Sequence, residues 1–172
     1  MEEKSGEFRI AFVSLKEGKH QFDFKLDRSF FDAFEYEEFA ECDILVKTEL
    51  EIQSTFMTLN FNISGTVNVM CDRCADYMDL PIEGEYRLIF KQSVDEYNDS
   101  DDIVSLAPSD HELDLSKHIY EFVLLSVPLK KVHEEGQCNA DVLKRLEEEK
   151  KDDKPDPRWD KLKNIKFDND KD

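Results

Sequence analysis

Residues 42–52 read Cys42-Asp43-Ile44-Leu45-Val46-Lys47-Thr48-Glu49-Leu50-Glu51-Ile52. Cys42, Ile44, Val46, Thr48, Leu50 and Ile52 take the even positions, and Lys47, Glu49 and Glu51 stand between them. Apolar residues at every second position place one face of a strand on a core and the other in water. The alternation returns twice downstream. Met57, Leu59, Phe61, Ile63, Val67, Val69 and Cys71 hold odd positions, with Gly65 in the same series. Met78, Leu80, Ile82, Tyr86, Leu88 and Phe90 hold even ones. No long helical segment separates the three runs, so turns should join them into an antiparallel meander. Gly65 and Gly84 are expected to mark bulges where these long strands bend.

Toward the N-terminus, Phe8, Ile10, Phe12 and then Phe22, Phe24, Leu26 also alternate, around a turn at Gly18-Lys19. That predicts an opening hairpin. Phe30, Phe31 and Phe34 follow helical spacing behind Asp27 and Ser29, either of which can cap a short helix. Asp32, Glu35, Glu37, Glu38, Glu41 and Asp43 form an acidic run without one basic residue. Toward the C-terminus the strand pattern breaks between Val94 and Asp110, where Asp95, Glu96, Asp99, Asp101 and Asp102 make an acidic loop. Asp114-Leu115-Ser116 opens a helix with Leu115, Ile119, Phe122 and Leu125 on one side, stopped by Pro128. A second helix is predicted from Asn139 through Val142, Leu143 and Leu146, with Glu147 and Lys151 as a solvated pair. The expected fold class is α+β: an antiparallel β-sheet meander with long bent strands, followed by C-terminal helices. Residues 1–149 are expected to form a single domain. Residues 150–172 would be a charged linker and a short helix that starts at Asp156-Pro157 and carries Trp159, Leu162 and Ile165.

Charge narrows the function classes. The 172 residues include 41 Asp and Glu against 23 Lys and Arg, a net charge of −18. Such a balance argues against a large phosphate-binding surface and favours basic partners. Residues 145–172 hold 9 basic and 10 acidic side chains, so nearly all of the net charge lies in the expected folded body. The 13 Phe and a hydrophobic content of 40% are enough to build a core. No apolar run approaches the ~20 residues a membrane helix needs. The start, Met1-Glu2-Glu3-Lys4, lacks the basic flank and apolar centre of a signal peptide. The expectation is a soluble, cytoplasmic protein with no membrane contact and no small-molecule substrate.

Four cysteines carry the remaining chemistry. Cys71 and Cys74 sit in a predicted turn between two strands, an arrangement that aims two thiolates at one point, as in a zinc knuckle. A structural zinc needs four ligands, and His133 with Cys138 is the candidate second pair. The competing reading is of reduced thiols packed as small apolar groups. Redox activity is disfavoured, since Asp72, Asp76 and Asp79 surround the pair and oppose a thiolate more than Arg73 favours it. No other cofactor is expected. His20, His111, His118 and His133 form no catalytic constellation, and the nucleophile and phosphate-loop signatures are missing. No catalytic residue is assigned. Trp159, in the locally basic stretch Arg158, Lys161, Lys163 and Lys166, reads either as a docked helix or as a partner anchor.

Taken together, Met70-Cys71-Asp72-Arg73-Cys74 with Leu80-Pro81-Ile82, Leu113-Asp114-Leu115 leading to Val127-Pro128-Leu129, and Asp156-Pro157-Arg158-Trp159 resemble the YceD-like large ribosomal RNA subunit accumulation proteins. The resemblance spans roughly residues 8 to 166. It implies a role in accumulation of large-subunit ribosomal RNA, hence in ribosome assembly, and it implies no catalytic activity. Ala75 departs from the Leu that members commonly carry, and many members have more Cys in the second half. A charge of −18 repels RNA at long range, so the expected partner is a basic ribosomal or ribosome-assembly protein. The alternatives are direct RNA binding through a local patch at Arg73, Arg158 and Lys161 to Lys166, or a small zinc-binding interaction domain. Arg73, Arg158 and Trp159 are the candidate partner-binding residues.

Overall fold

The computed structural model describes residues 8–92 and 103–150. The chain forms two compact units that divide between Val132 and His133. The first is built on a five-stranded sheet of order β2-β3-β4-β5-β6: Gly18–Leu26, Glu41–Ile52, Met57–Met70, Tyr77–Gln92 and Ile103–Leu106. A two-residue strand β1 (Arg9–Ile10) pairs with β7 (Leu113–Asp114). Helix α1 (Arg28–Asp32) follows β2, and α2 (Ser116–Ser126) follows β7. The fold is α+β.

Parity along the strands becomes burial. Ile44, Val46 and Leu50 of β3 are buried, as are Leu59, Phe61, Ile63 and Val67 of β4. The register aligns Phe22, Thr48, Phe61 and Tyr86 across four strands, so one row of side chains crosses the inner face. Thr48 is tolerated there because its hydroxyl donates to the Phe22 carbonyl at 3.0 Å. The outer face is polar, with rows Asp23–Lys47–Asn62–Glu85 and Gln21–Glu49–Asn60–Arg87. Helix α2 covers the inner face. Its Phe122 ring stacks on Tyr86 at 4.4 Å and meets Phe61 edge-on at 5.1 Å.

Three expectations are corrected. Gly65 and Gly84 lie in uninterrupted register, opposite Ile44 and Ile63, and are not bulges. Each admits a close approach instead. A Cβ on Gly65 would lie 2.3 Å from the Asp43 carbonyl oxygen, and one on Gly84 would lie 2.2 Å from Ser126 Oγ of α2. The opening hairpin does not form: β1 turns away from β2 and pairs with β7, where Arg9 bridges Glu112 at 2.9 Å and Asp114 at 3.3 Å. The expected antiparallel meander does form, through β2 to β5, and β6 adds to the edge of β5 in parallel. A parallel neighbour needs a longer connection than a hairpin. Finally, Leu125 is 69% exposed, and the buried stripe of α2 is Ile119 and Val123 behind Leu115. At ~100° per residue Leu125 lies about 200° round from Val123.

The second unit begins with a turn in which Gly136 has φ 86° and Gln137 N–H donates to the Glu134 carbonyl. Helix α3 (Ala140–Lys150) starts one residue after Asn139, whose side chain caps it: Asn139 Oδ1 accepts from Asp141 N–H at 3.1 Å. The expected Glu147–Lys151 pair, the acidic loop at 95–102 and the Asp156-Pro157 helix fall at least partly outside the described residues.

Candidate metal centre and acidic loop

The β4–β5 hairpin closes through Cys71-Asp72-Arg73-Cys74, and its backbone is shaped around the Cys71 sulfur. Arg73 N–H donates to Cys71 Sγ at 3.4 Å, Ala75 N–H donates to the Cys71 carbonyl, and Cys71 N–H donates to Asp76. Ala75 adopts φ 60°, a left-handed conformation that a side chain disfavours by about 1–2 kcal/mol. The turn holds the Cys71 and Cys74 sulfurs within 4.8 Å of each other, with both residues buried. No cysteine among the described residues is in a disulfide. Arg73 between them is exposed at the hairpin tip.

The hairpin tip is anchored within the same unit. Asp72 N–H donates to the Lys131 carbonyl, and Lys131 N–H donates back to Asp72 Oδ2, both at 2.7 Å. Lys131 Nζ then reaches Glu38 Oε2 at 2.8 Å. That ammonium, by hydrogen bond and charge, holds the Glu38 carboxyl below its usual range. In the second unit, Cys138 Sγ lies 3.8 Å from His133 Nδ1. Each unit thus holds one pair of side chains that could ligate a metal ion, Cys71 with Cys74 in the first and His133 with Cys138 in the second.

The acidic run follows α1 and has a definite shape. Asp27 caps the helix by accepting from Ser29 N–H at 2.9 Å. At the other end Tyr36 N–H donates to the Phe31 carbonyl and Glu35 N–H to that of Asp32, the paired bonds of a Schellman motif. Glu35 occupies the left-handed position at φ 56°, where glycine is the usual residue. The Phe31 and Tyr36 rings, 6.2 Å apart, provide the accompanying apolar contact. Asp32 is paired with Arg28 at 2.8 Å and Glu38 with Lys131. Glu35, Glu37, Glu41 and Asp43 are exposed and make no ion pair among the described residues. The reading from sequence found this run by charge alone. It missed the motif that displays it, because no glycine marks the turn.

Other surfaces are less specific. A depression of about 660 Å³ lies on the outer sheet face, bordered by Asp23, Lys47, Asn60, Asn62, Glu85 and Arg87. It holds no Cys, His or Ser that could serve as nucleophile or base. Among the described residues no helix is long and apolar enough to cross a membrane. Arg158 and Trp159 lie outside the described residues.

Residues 59–166 match the family described as large ribosomal RNA subunit accumulation protein YceD. The match covers more than half of the chain, and the chain belongs to this family. It is the family that the hairpin and C-terminal motifs resembled, and its description names ribosomal RNA accumulation rather than a reaction. No curated protein and no solved structure matches the chain.

Proposed function

We infer that this protein supports large-subunit ribosomal RNA accumulation as a non-enzymatic, cytoplasmic assembly factor. It receives the Lys- and Arg-rich segment of a ribosomal or ribosome-assembly protein. The observation that carries this reading is Glu35. A carboxylate occupies a left-handed position where glycine would be less strained, and it stands beside three further exposed carboxylates without ion-pair partners among the described residues. Strain kept at a charged, exposed turn points to a role for the charge itself. With a net charge of −18, the surface would speed encounter with a basic chain, and the complex should weaken as salt shortens the screening length. Any contact with RNA is assigned to Arg73 at the hairpin tip and to Arg158 and Trp159.

The test is a pull-down from the native cell at low salt with the full chain and with a Glu35→Gln, Glu37→Gln, Glu41→Gln, Asp43→Asn variant. The expected result is capture of basic large-subunit proteins, released as salt rises and lost with the variant. Equal capture by both chains, or no large-subunit protein with either, overturns the reading. Filter binding to large-subunit RNA fragments separates the RNA alternative, in which charge reversal at Arg73 and Arg158 would abolish binding.

A further inference from the structure

We propose that the free edge of β5 takes up the Lys- and Arg-rich segment of the partner as an added strand. The inference rests on the basic-partner reading above and gives it a binding mode. β5 runs for 16 residues and pairs with β4 from Tyr77 to Phe90. On its other side β6 pairs only with Ile89 to Gln92. Among the described residues, no strand and no backbone hydrogen bond takes that side from Tyr77 to Leu88. Residues 127–131 lead from Ser126, at Gly84, to Lys131, at Asp72, and make no backbone bond to β5. A row of unpaired N–H and C=O groups is a template for one more strand. Pro81 identifies the groups concerned. It has no N–H, so it fits a strand only where its nitrogen points away from the neighbour, here β4. Antiparallel pairs alternate, so Asp79, Glu83 and Glu85 turn their backbone groups to the same free side. An added strand forgoes one bond at Pro81 and keeps those on either side of it.

Charge selects the occupant. Asp79, Glu83, Glu85 and Arg87 project from the outer face along this stretch, all exposed, three acids against one base. Asn68 and Asn62 of β4 donate to Asp79 and Glu85 at 2.6 and 3.3 Å, and no ion pair engages the three carboxylates among the described residues. Side chains directly opposite on neighbouring strands stand about 5 Å apart, so alternate Lys or Arg residues of an added strand meet these acids. On the inner face Met78, Leu80 and Tyr86 are only partly buried, which leaves apolar surface for the residues between the bases. The same acids repel the β5 edge of a second copy, so the edge discriminates between a basic strand and itself. The other sheet edge, β2, exposes Lys19 and Lys25 against Asp23 and disfavours a basic strand. The β5 edge also stands near the acidic run. Glu41, Asn68 and Asp79 share one row, which puts Glu41 two strands, about 10 Å, from β5. One basic segment can therefore meet both.

The test uses the full chain and a fluorescent peptide of about ten residues, alternating Lys and Val, at low salt. Two further peptides carry backbone N-methyl groups, one at every Lys and the other at every Val. A strand paired along one side uses only alternate N–H groups, so one methylated peptide should bind about tenfold more weakly or worse, and the other nearly as well as the parent. Methylation at Lys blocks an antiparallel strand and methylation at Val a parallel one. Amide exchange at Asp79, Glu83 and Glu85 should slow when the parent peptide binds. The Glu83→Lys, Glu85→Lys variant should bind it about tenfold more weakly. Equal affinities of the two methylated peptides, or slowed exchange along β2 instead of β5, overturn strand addition and leave the basic-partner reading standing. No binding of the parent peptide overturns the proposal and counts against that reading as well. The methylated peptides are compared on the wild type, so they decide the matter even where the double variant does not fold.

Discussion

Asp72 and Lys131, 59 positions apart in sequence, hold each other through two reciprocal hydrogen bonds of 2.7 Å, backbone to backbone in one direction and backbone to carboxylate in the other. The residue that follows Cys71 thereby fixes the end of the first unit. Asp72→Ala should remove the acceptor for Lys131 N–H and destabilise the fold by about 1–2 kcal/mol, since a bond to a charged acceptor exceeds a neutral one. Asp72→Asn, which keeps a carbonyl oxygen, should lose less. Amide exchange at Lys131 reports the lock directly. Unchanged protection in Asp72→Ala would show that the bond does not form in solution.

Gly84 and Ser126 meet where α2 crosses the sheet. A Cβ at Gly84 would also lie 2.7 Å from the Tyr86 ring, so Gly84→Ala must displace either the helix end or the ring that stacks on Phe122. Overpacking of this kind destabilises by about 1–3 kcal/mol. Adding Ser126→Gly should recover part of the loss, and a double-mutant cycle from urea melts should show coupling between the two sites. Gly65→Ala should be the more damaging change, because its neighbour at 2.3 Å is backbone and has no rotamer to change.

Glu35→Gly should stabilise the protein by roughly 1 kcal/mol, by relieving a left-handed φ of 56° at a position the Schellman motif reserves for glycine. Thermal melts of the two chains check it. On the proposed function the same substitution weakens salt-sensitive capture of the basic partner. Stability and binding would move in opposite directions.

Strand parity was legible because a period of two survives any choice of neighbour: Ile44 to Leu50 and Leu59 to Val69 face inward as their spacing requires. A cap at Asp27 or Ser29 was legible for the same local reason, and the structure uses Asp27. Pairing was not. Phe8 and Ile10 alternate as a hairpin strand would, yet Ile10 pairs with Leu113, a partner selected by Arg9 and its two distant carboxylates. Gly84 reads as a bulge until α2 is seen to press Ser126 against it. The Cys71-x-x-Cys74 pair was visible from spacing, whereas the Asp72–Lys131 lock was not, because nothing in sequence links positions 59 apart.

Cys42 should resist alkylation. Burial, then the charges of Asp27 and Glu41, push its thiol up to about 11, with Arg28 opposing. At pH near 8.5 an ordinary thiol is about half ionised, so the thiolate population at Cys42 is on the order of a hundredfold lower. Iodoacetamide labelling mapped by mass spectrometry should find Cys42 slow in the folded chain and fast in urea. Equal rates in both would mean that β3 does not shield the thiol.

The Glu38–Lys131 pair sets a weak acid dependence with a definite sign. Glu38 has a lowered pKa in the fold, through its hydrogen bond and ion pair with Lys131. Its contribution is fully present above the unfolded-state glutamate pKa and is lost as pH falls through the lower, folded value. Glu38 is 60% exposed, so screening limits the pair to less than about 1 kcal/mol. Lys131→Met keeps the backbone lock on Asp72 but removes the ammonium. Urea midpoints should then differ between the two chains near neutrality and converge in acid, below the folded Glu38 pKa. A gap that persists at low pH would assign the loss to packing of the Lys131 stem rather than to its charge.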